Sequence, residues 1–218
     1  MIDLHTHSLF SDGVLLPSEL IQRARKKGYE AIAITDHVDI SNIDFVIKRI
    51  RKVCKDTNRA YKDIKCLCGV EITHVAPVLV AGLVKMARAL GAQVVLLHGE
   101  TSVEPVEIGS NKAAILAKVD ILAHPGKITE EDAILAAKNG VCLEITSRFG
   151  HNITNGHVAM MARKAGAKLV FNTDTHLPEN LCDNQSRDTI LLSAGLNKNE
   201  IQSAINNSLE LVKKVFVK

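Results

Sequence analysis

The chain has 218 residues, enough for one large domain or two small ones with a substantial buried core. Hydrophobic residues make up 46% and charged residues 23%, which excludes a disordered polymer, and a net charge of +3 is too small to mark a nucleic-acid-binding surface. With no Trp, two Tyr and five Phe, base stacking on aromatic side chains is disfavoured and the core must come from Ile, Val, Leu and Ala.

The N-terminal Met-Ile-Asp-Leu-His has neither a basic start nor an apolar run, so no signal peptide is expected and a cytoplasmic location fits. It reads instead as a first strand near Ile2–His5. A helix follows over Pro17–Lys27, with Pro at its start, Arg25, Lys26 and Lys27 in its last turn and Gly28 beyond. Strands near Ala31–Thr35 and Lys65–Ile72 flank a helix over Ser41–Lys55. The next helix is Ala76–Leu90. The apolar run from Val75 to Leu90 is broken by Lys85 and Arg88 and is too short to span a bilayer. Strands near Gln93–His98, Asp120–Ala123, Val141–Thr146 and Lys168–Thr173 then alternate with helices over Asn111–Ala117, Glu130–Lys138 and Thr154–Lys164. Gly91, Gly140 and Gly166 stand where helices end on left-handed backbone. Two helices, Ser186–Ser193 and Lys198–Lys214, finish the chain, and Lys213, Lys214 and Lys218 read as a solvated helix terminus.

Most of these strands are Ile-, Val- and Leu-rich with little polar alternation, as strands covered on both faces are. Seven β-α units in one uninterrupted domain, 1–218, imply a parallel sheet, either an open doubly wound sheet or a barrel. The five cysteines, Cys54, Cys66, Cys68, Cys142 and Cys182, are odd in number and lack the paired spacing of a structural zinc site. Cys66 and Cys68 share one face of a strand, and reduced thiols packed in the core are expected.

Of nine histidines, His5, His37, His98, His124 and His176 fall at or just beyond the C-terminal ends of five different strands, and His7 follows His5 by two. In a parallel α/β protein all those ends open on one face, which carries the site. Asp12, Asp36, Glu71, Glu144 and Asp174 fall in the same register. One histidine at a strand end is an ordinary structural residue; five on five strands, interleaved with carboxylates, are the ligand set of a multinuclear zinc, manganese or iron site. His5-Thr6-His7 and Asp174-Thr175-His176 each put two donors on one side of extended backbone. Asp36 and His37 are adjacent and point apart, so Asp36 is expected to orient a ligand rather than to be one.

Asp-Leu-His-Thr-His-Ser followed by Ser-Asp-Gly, Ile-Thr-Asp-His at 34–37, Gly-Val-Glu at 69–71, His98, Ala-His-Pro at 123–125 and Asn-Thr-Asp-Thr-His at 172–176 together resemble the motifs of the PHP (polymerase and histidinol phosphatase) family, in that family's order. The resemblance implies a distorted seven-stranded (β/α)7 barrel, TIM-like, with a cluster of two or three divalent ions. By position, His5, His7, Glu71 and Asp174 would hold one metal. Glu71 would bridge to a second held by His98 and His124, and Asp12, His37 and His176 would hold a third.

Closely spaced ions suit phosphoryl chemistry, since they supply an activated water and neutralise phosphate oxygens. No Ser or Cys stands beside an evident activating base, so no protein nucleophile is assigned. Arg148, after the sixth strand, is a candidate phosphate clamp. His74, His151 and His157 lie near the same face, and Lys127, Arg187 and the N–H groups of Gly109-Ser110-Asn111 are weaker anion-binding candidates. Glu144 is expected either behind a ligand or against substrate. The polar stretch between His98 and Asn111, with Pro105, reads as a lid or an irregular connection. The expected substrate is a small phosphomonoester, with histidinol phosphate first. An exonuclease or phosphodiesterase comes second, and a non-catalytic RNA-binding subunit of the ribonuclease P type is the alternative of another class.

Overall fold

The computed structural model describes residues 1–216, so Lys218 lies outside the described residues. Short parallel strands alternate with helices throughout: β1 (Ile2–Asp3), α1 (Pro17–Lys26), β2 (Ala31–Ile34), β3 (His37–Val38), α2 (Ile43–Ala60), β4 (Lys65–Ile72), α3 (Pro77–Leu90), β5 (Val94–His98), α4 (Ser110–Leu116), β6 (Ile121–Ala123), α5 (Glu130–Asn139), β7 (Cys142–Thr146), α6 (Asn155–Ala165), β8 (Leu169–Asn172), α7 (Asn184–Ser193) and α8 (Lys198–Phe216). Neighbours run β1-β2-β4-β5-β6-β7-β8. β3 also pairs with β4, and Ile34 opposite Cys68 and His37 opposite Glu71 keep one register. β2 and β3 are therefore one strand, interrupted at Thr35 and Asp36, and the sheet has seven staves.

The sheet closes on itself at an isolated parallel bridge between Thr6 and Thr175, with the His7 N–H donating to the Thr175 carbonyl at 2.8 Å. Below that bridge the β1–β8 seam is stitched by side chains. Leu4 N–H donates to Asn172 Oδ1 (2.8 Å), and Thr173 N–H and Oγ1 donate to the two oxygens of Asp3 (3.2 and 2.6 Å). This makes the barrel distorted: backbone groups at the seam find buried partners without a regular ladder. The last strand consequently stops at Asn172, because Thr173 is turned to Asp3.

Side-chain alternation sorts two cores. Ile32, Ile34, Cys66, Val70, Val95, Leu97, Leu122, Leu143 and Ile145 face the helices in the larger one. Leu4, Ala31, Ala33, Leu67, Val94, Leu96, Ile121, Ala123, Cys142 and Val170 fill the barrel interior. The small residues among them suit the narrow bore of seven strands. Leu211 and Val212 of α8 join that inner cluster, so the last helix plugs the N-terminal mouth of the barrel. Function is left to the other mouth.

α2 runs on to Ala60, five residues beyond the expected end, although Asp56, Thr57 and Asn58 are weak helix formers. The Asn58 amide hydrogen-bonds both the N–H and the carbonyl of Cys66, each at 2.8 Å, which holds the extra turn in place. Gly91, Gly140 and Gly166 end their helices on left-handed backbone (φ 98°, 71° and 69°). All five cysteines are free thiols, and Cys66 and Cys68 are buried. Among the described residues no helix is long and apolar enough to cross a membrane.

Candidate metal centre

The inward-facing positions change character along each strand. Leu67 leads to Glu71, Val94 and Leu96 to His98, Cys142 to Glu144, and Val170 to Asn172. The apolar layers end one or two residues below the C-terminal mouth, and a charged layer takes over. Its members are buried: His5, His7, Glu71, His98, His124, Glu144, Asp174 and His176 all fall below one-tenth exposure.

Three groups converge there. In the first, His5 Nε2 lies 3.3 Å from Glu71 Oε2 and 3.6 Å from Asp174 Oδ1, and His7 Nε2 lies 3.1 Å from Asp174 Oδ1. In the second, His124 Nε2 is 3.5 Å from Glu71 Oε1, and a nitrogen of His98 completes a set within 4.8 Å. In the third, Asp12 Oδ1 is 3.1 Å from His176 Nε2, 3.5 Å from His37 Nε2 and 4.0 Å from His7 Nδ1. The nine ligand positions expected from sequence are thus gathered, with His7 turned toward two groups at once. Asp12 is exposed and His37 half-buried, so the third group is the one open to solvent.

These residues fit a metal on their own evidence. The buried side-chain atoms without a hydrogen-bond partner, among the described residues, are His5 Nε2, His7 Nε2, both oxygens of Glu71, His124 Nδ1 and Asp174 Oδ1. Orphaned buried polar atoms are costly and rare. Donors bound tetrahedrally at about 2.0–2.1 Å stand about 3.3 Å apart, which matches these N···O separations better than hydrogen bonding does.

Electrostatics agree. Burial alone would lift the Glu71 and Asp174 carboxyls, but the adjacent His5, with His37 and His7, holds both well below the usual range. Burial disfavours charge on His5, yet Glu144, Glu71 and Asp174 outweigh it and raise that imidazole. His7 is driven the other way, down to about 3, by burial and then by His37. Without a cation, the cluster balances its carboxylates with protons.

The supporting contacts are specific. Glu144 Oε1 lies 2.9 Å from His5 Nδ1 and accepts from Asn172 Nδ2 at 2.8 Å, while Oε2 accepts the His124 N–H at 3.0 Å. Glu144 therefore stands behind two ligands and does not face the cavity. Asp36 accepts from Ser8 N–H and Oγ (2.7 Å each) and from Ser11 Oγ (2.8 Å). It holds the loop that carries Asp12. His74, His124 and Asp174 have positive φ (53°, 26° and 53°), and they are three of only four such non-glycine residues among those described. Backbone strain of this kind persists where the surroundings over-determine it, as at functional sites.

Beside the three groups is a cavity of about 240 Å3 lined by Asp12, His37, His74, His98, Glu104, Arg148, His151 and His176. Arg148 contacts Asn180 Oδ1 at 3.5 Å and forms no ion pair among the described residues. His157 instead contacts the Ile128 carbonyl (2.8 Å), and Lys127 is exposed outside the cavity lining. Arg187 pairs with Asp188 and lines a separate cavity with Ile2 and Phe171. The N–H groups of Gly109 and Asn111 are taken by Glu100 Oε1, both at 2.9 Å, so they are closed to an external anion. A larger cavity, about 670 Å3, lies elsewhere against α2 and is lined by none of the ligand residues. Sequence reasoning missed Glu104 and Asp3. For Asp3 a signal existed, its two-residue spacing from His5; for Glu104, in an irregular loop, there was none.

A family model described as the PHP domain matches residues 3–215. The chain belongs to the PHP family. An uncharacterised protein of Methanocaldococcus jannaschii, MJ1295, is 46% identical over 98% of this chain and 99% of its own. Among solved structures, the PHP chain resembles one in an archaeal ribonuclease P bound to mature tRNA (TM-score 0.74, 17% identity, 97% of this chain and 89% of that one). It also resembles the Lactococcus lactis histidinol phosphate phosphatase complexed with zinc, L-histidinol and phosphate (TM-score 0.63, 18% identity, 90% and 94%). At such identities the two structures show the shared fold. They also show that one barrel serves an enzyme and an RNA-containing assembly, so function has to be argued from the site.

Proposed function

We propose that this PHP protein is a metal-dependent phosphoesterase acting on a small phosphomonoester, with histidinol phosphate the first substrate to test. The observation that carries this reading is the set of unpartnered buried atoms, every one of which belongs to a residue of the ligand groups. A scaffold with no catalytic centre has no reason to keep such costly groups.

His5, His7, Glu71 and Asp174 would hold one ion, Glu71 with His98 and His124 a second, and Asp12 with His37 and His176 a third. Zinc, manganese and iron all suit these donors. Bound there, divalent ions supply an activated water at neutral pH and counter the charge on phosphate oxygens. Glu71, with one oxygen toward His5 and the other toward His124, sets the spacing of the first two sites. Glu144 orients His5 through its Nδ1, which leaves Nε2 as the ligating atom. Arg148, on the cavity wall, offers a planar fork to two phosphate oxygens and so aligns the ester. The cavity's small volume favours a monoester over a polymer.

Elemental analysis of purified, unchelated protein tests the reading, followed by a panel of phosphate mono- and diesters. Two or three equivalents per chain and monoester hydrolysis are expected, and Glu71→Gln should lower both metal content and turnover while the fold persists. A protein that takes up no zinc, manganese or iron sinks the proposal and turns attention to RNA binding.

A further inference from the structure

The chain between β5 and α4, residues 99–109, has no regular structure and lays Glu104 across the mouth of the site. Glu104 Oε2 is 2.9 Å from His98 Nε2 and 3.2 Å from His74 Nε2, and Oε1 is 3.3 Å from His151 Nε2. Three histidines, from the end of β5 and from the segments that follow β4 and β7, thus converge on one carboxylate. The outer nitrogens of two of them are already engaged. His98 Nδ1 lies 3.2 Å from the Gly99 carbonyl, and His151 Nδ1 lies 2.9 Å from Thr101 Oγ1. His74 is held on left-handed backbone (φ 53°), which a non-glycine residue adopts at a cost.

His98 belongs to two ligand groups at once, Glu71–His98–His124 and His74–His98–Glu104. Imidazole Nε2 has one lone pair, and Nδ1 of this ring faces a carbonyl, so it must carry the proton. One histidine cannot serve two ions through one nitrogen. The two groups would therefore share a single ion, with Glu71 and His124 as its buried ligands and Glu104 as its ligand from the loop.

We propose that Glu104 is a loop-borne, displaceable ligand of the metal held by His98. This rests on the metal-centre reading above. A catalytic metal keeps a coordination position for water or substrate. Glu104 occupies that position in the resting protein, and an incoming phosphate oxygen takes it over. His74 and His151 then receive the released carboxylate, whose oxygens already lie 3.2 and 3.3 Å from them. No bond is made or broken covalently; one anionic oxygen replaces another. The loop thereby couples phosphate binding to opening of the site and keeps weaker anions off the metal.

The test compares wild type, Glu104→Gln and Glu104→Ala, both substitutions lying on an exposed loop. Competition with a chromophoric chelator reads zinc affinity, and calorimetry reads binding of inorganic phosphate to the zinc-loaded protein. One equivalent of zinc should bind about tenfold more weakly in both variants, on the scale of lost coordination support. The remaining equivalents should be unchanged, and inorganic phosphate should bind more tightly because its competitor is gone. Unchanged zinc affinity overturns the proposal. So does weaker phosphate binding, which would make Glu104 a partner of the substrate rather than its rival. Wild type that binds no zinc at all fails a different claim, the metal centre itself, and is told apart by that result.

Discussion

Replacing Glu144 with glutamine keeps the volume of a buried side chain and removes only its charge and one acceptor. The carboxylate serves three groups: His5 Nδ1 at 2.9 Å, Asn172 Nδ2 at 2.8 Å and the His124 N–H at 3.0 Å. A glutamine amide has one oxygen, so its NH2 must face at least one of these donors, at a cost of about 1.5–3 kcal/mol for a charge-assisted contact. With the amide one way round His5 loses its fixed tautomer, and with it the other way round the backbone of His124 loses its anchor. Removing partners behind metal ligands weakens binding roughly 10- to 100-fold, or about 1.4–2.7 kcal/mol. Metal stabilises the fold by mass action, so the rise in Tm on adding zinc should shrink by about 3 to 11 °C for a chain of this size. Chelator competition and differential scanning calorimetry with and without zinc measure the two effects. An unchanged zinc affinity in a folded Glu144→Gln variant would refute the claim that this carboxylate positions His5.

Arg148→Ala should lower kcat/KM roughly 10- to 150-fold, the worth of about 1.5–3 kcal/mol for a charged hydrogen-bonded contact, with metal content unchanged; loss of metal by elemental analysis would instead make Arg148 structural. Burial pushes the Asp3 carboxyl up to about 7 from 3.8, against the hydrogen bonds from Thr173. The folded, metal-free protein therefore holds a proton that the unfolded chain releases. This contribution to stability is complete below pH 3.8 and is lost as pH rises to about 7. Asp3→Asn should flatten that slope by an amount on the order of 4 kcal/mol between these limits, as read by urea denaturation at a series of pH values. Parallel slopes for the two proteins would show that Asp3 is ionised throughout.

Much of the barrel was legible because its signals are local. Apolar runs bounded by glycines gave strands and helices in the right order, and the helix over Pro17–Lys26 begins where its proline stands. The site was legible for the same reason: His98 and Glu71 end inward-facing rows, and a parallel sheet brings all its C-terminal ends to one face. What distinguishes one strand-end histidine from another is not periodic. His157 turns to the Ile128 carbonyl, while His151, six residues earlier, meets Thr101 across the mouth of the barrel. The closure of the seam by Asp3, Asn172 and Thr173 joins distant parts of the chain, with partners 168 and 170 residues apart. Glu104 reaches its histidines from a loop with no repeat to betray it. The sequence by itself determined the staves, their order and the ligand-bearing face, because spacing along a strand is a property of the backbone. Only the tertiary structure decided which polar groups meet there, because those contacts join segments that share nothing but the closed circle of the sheet.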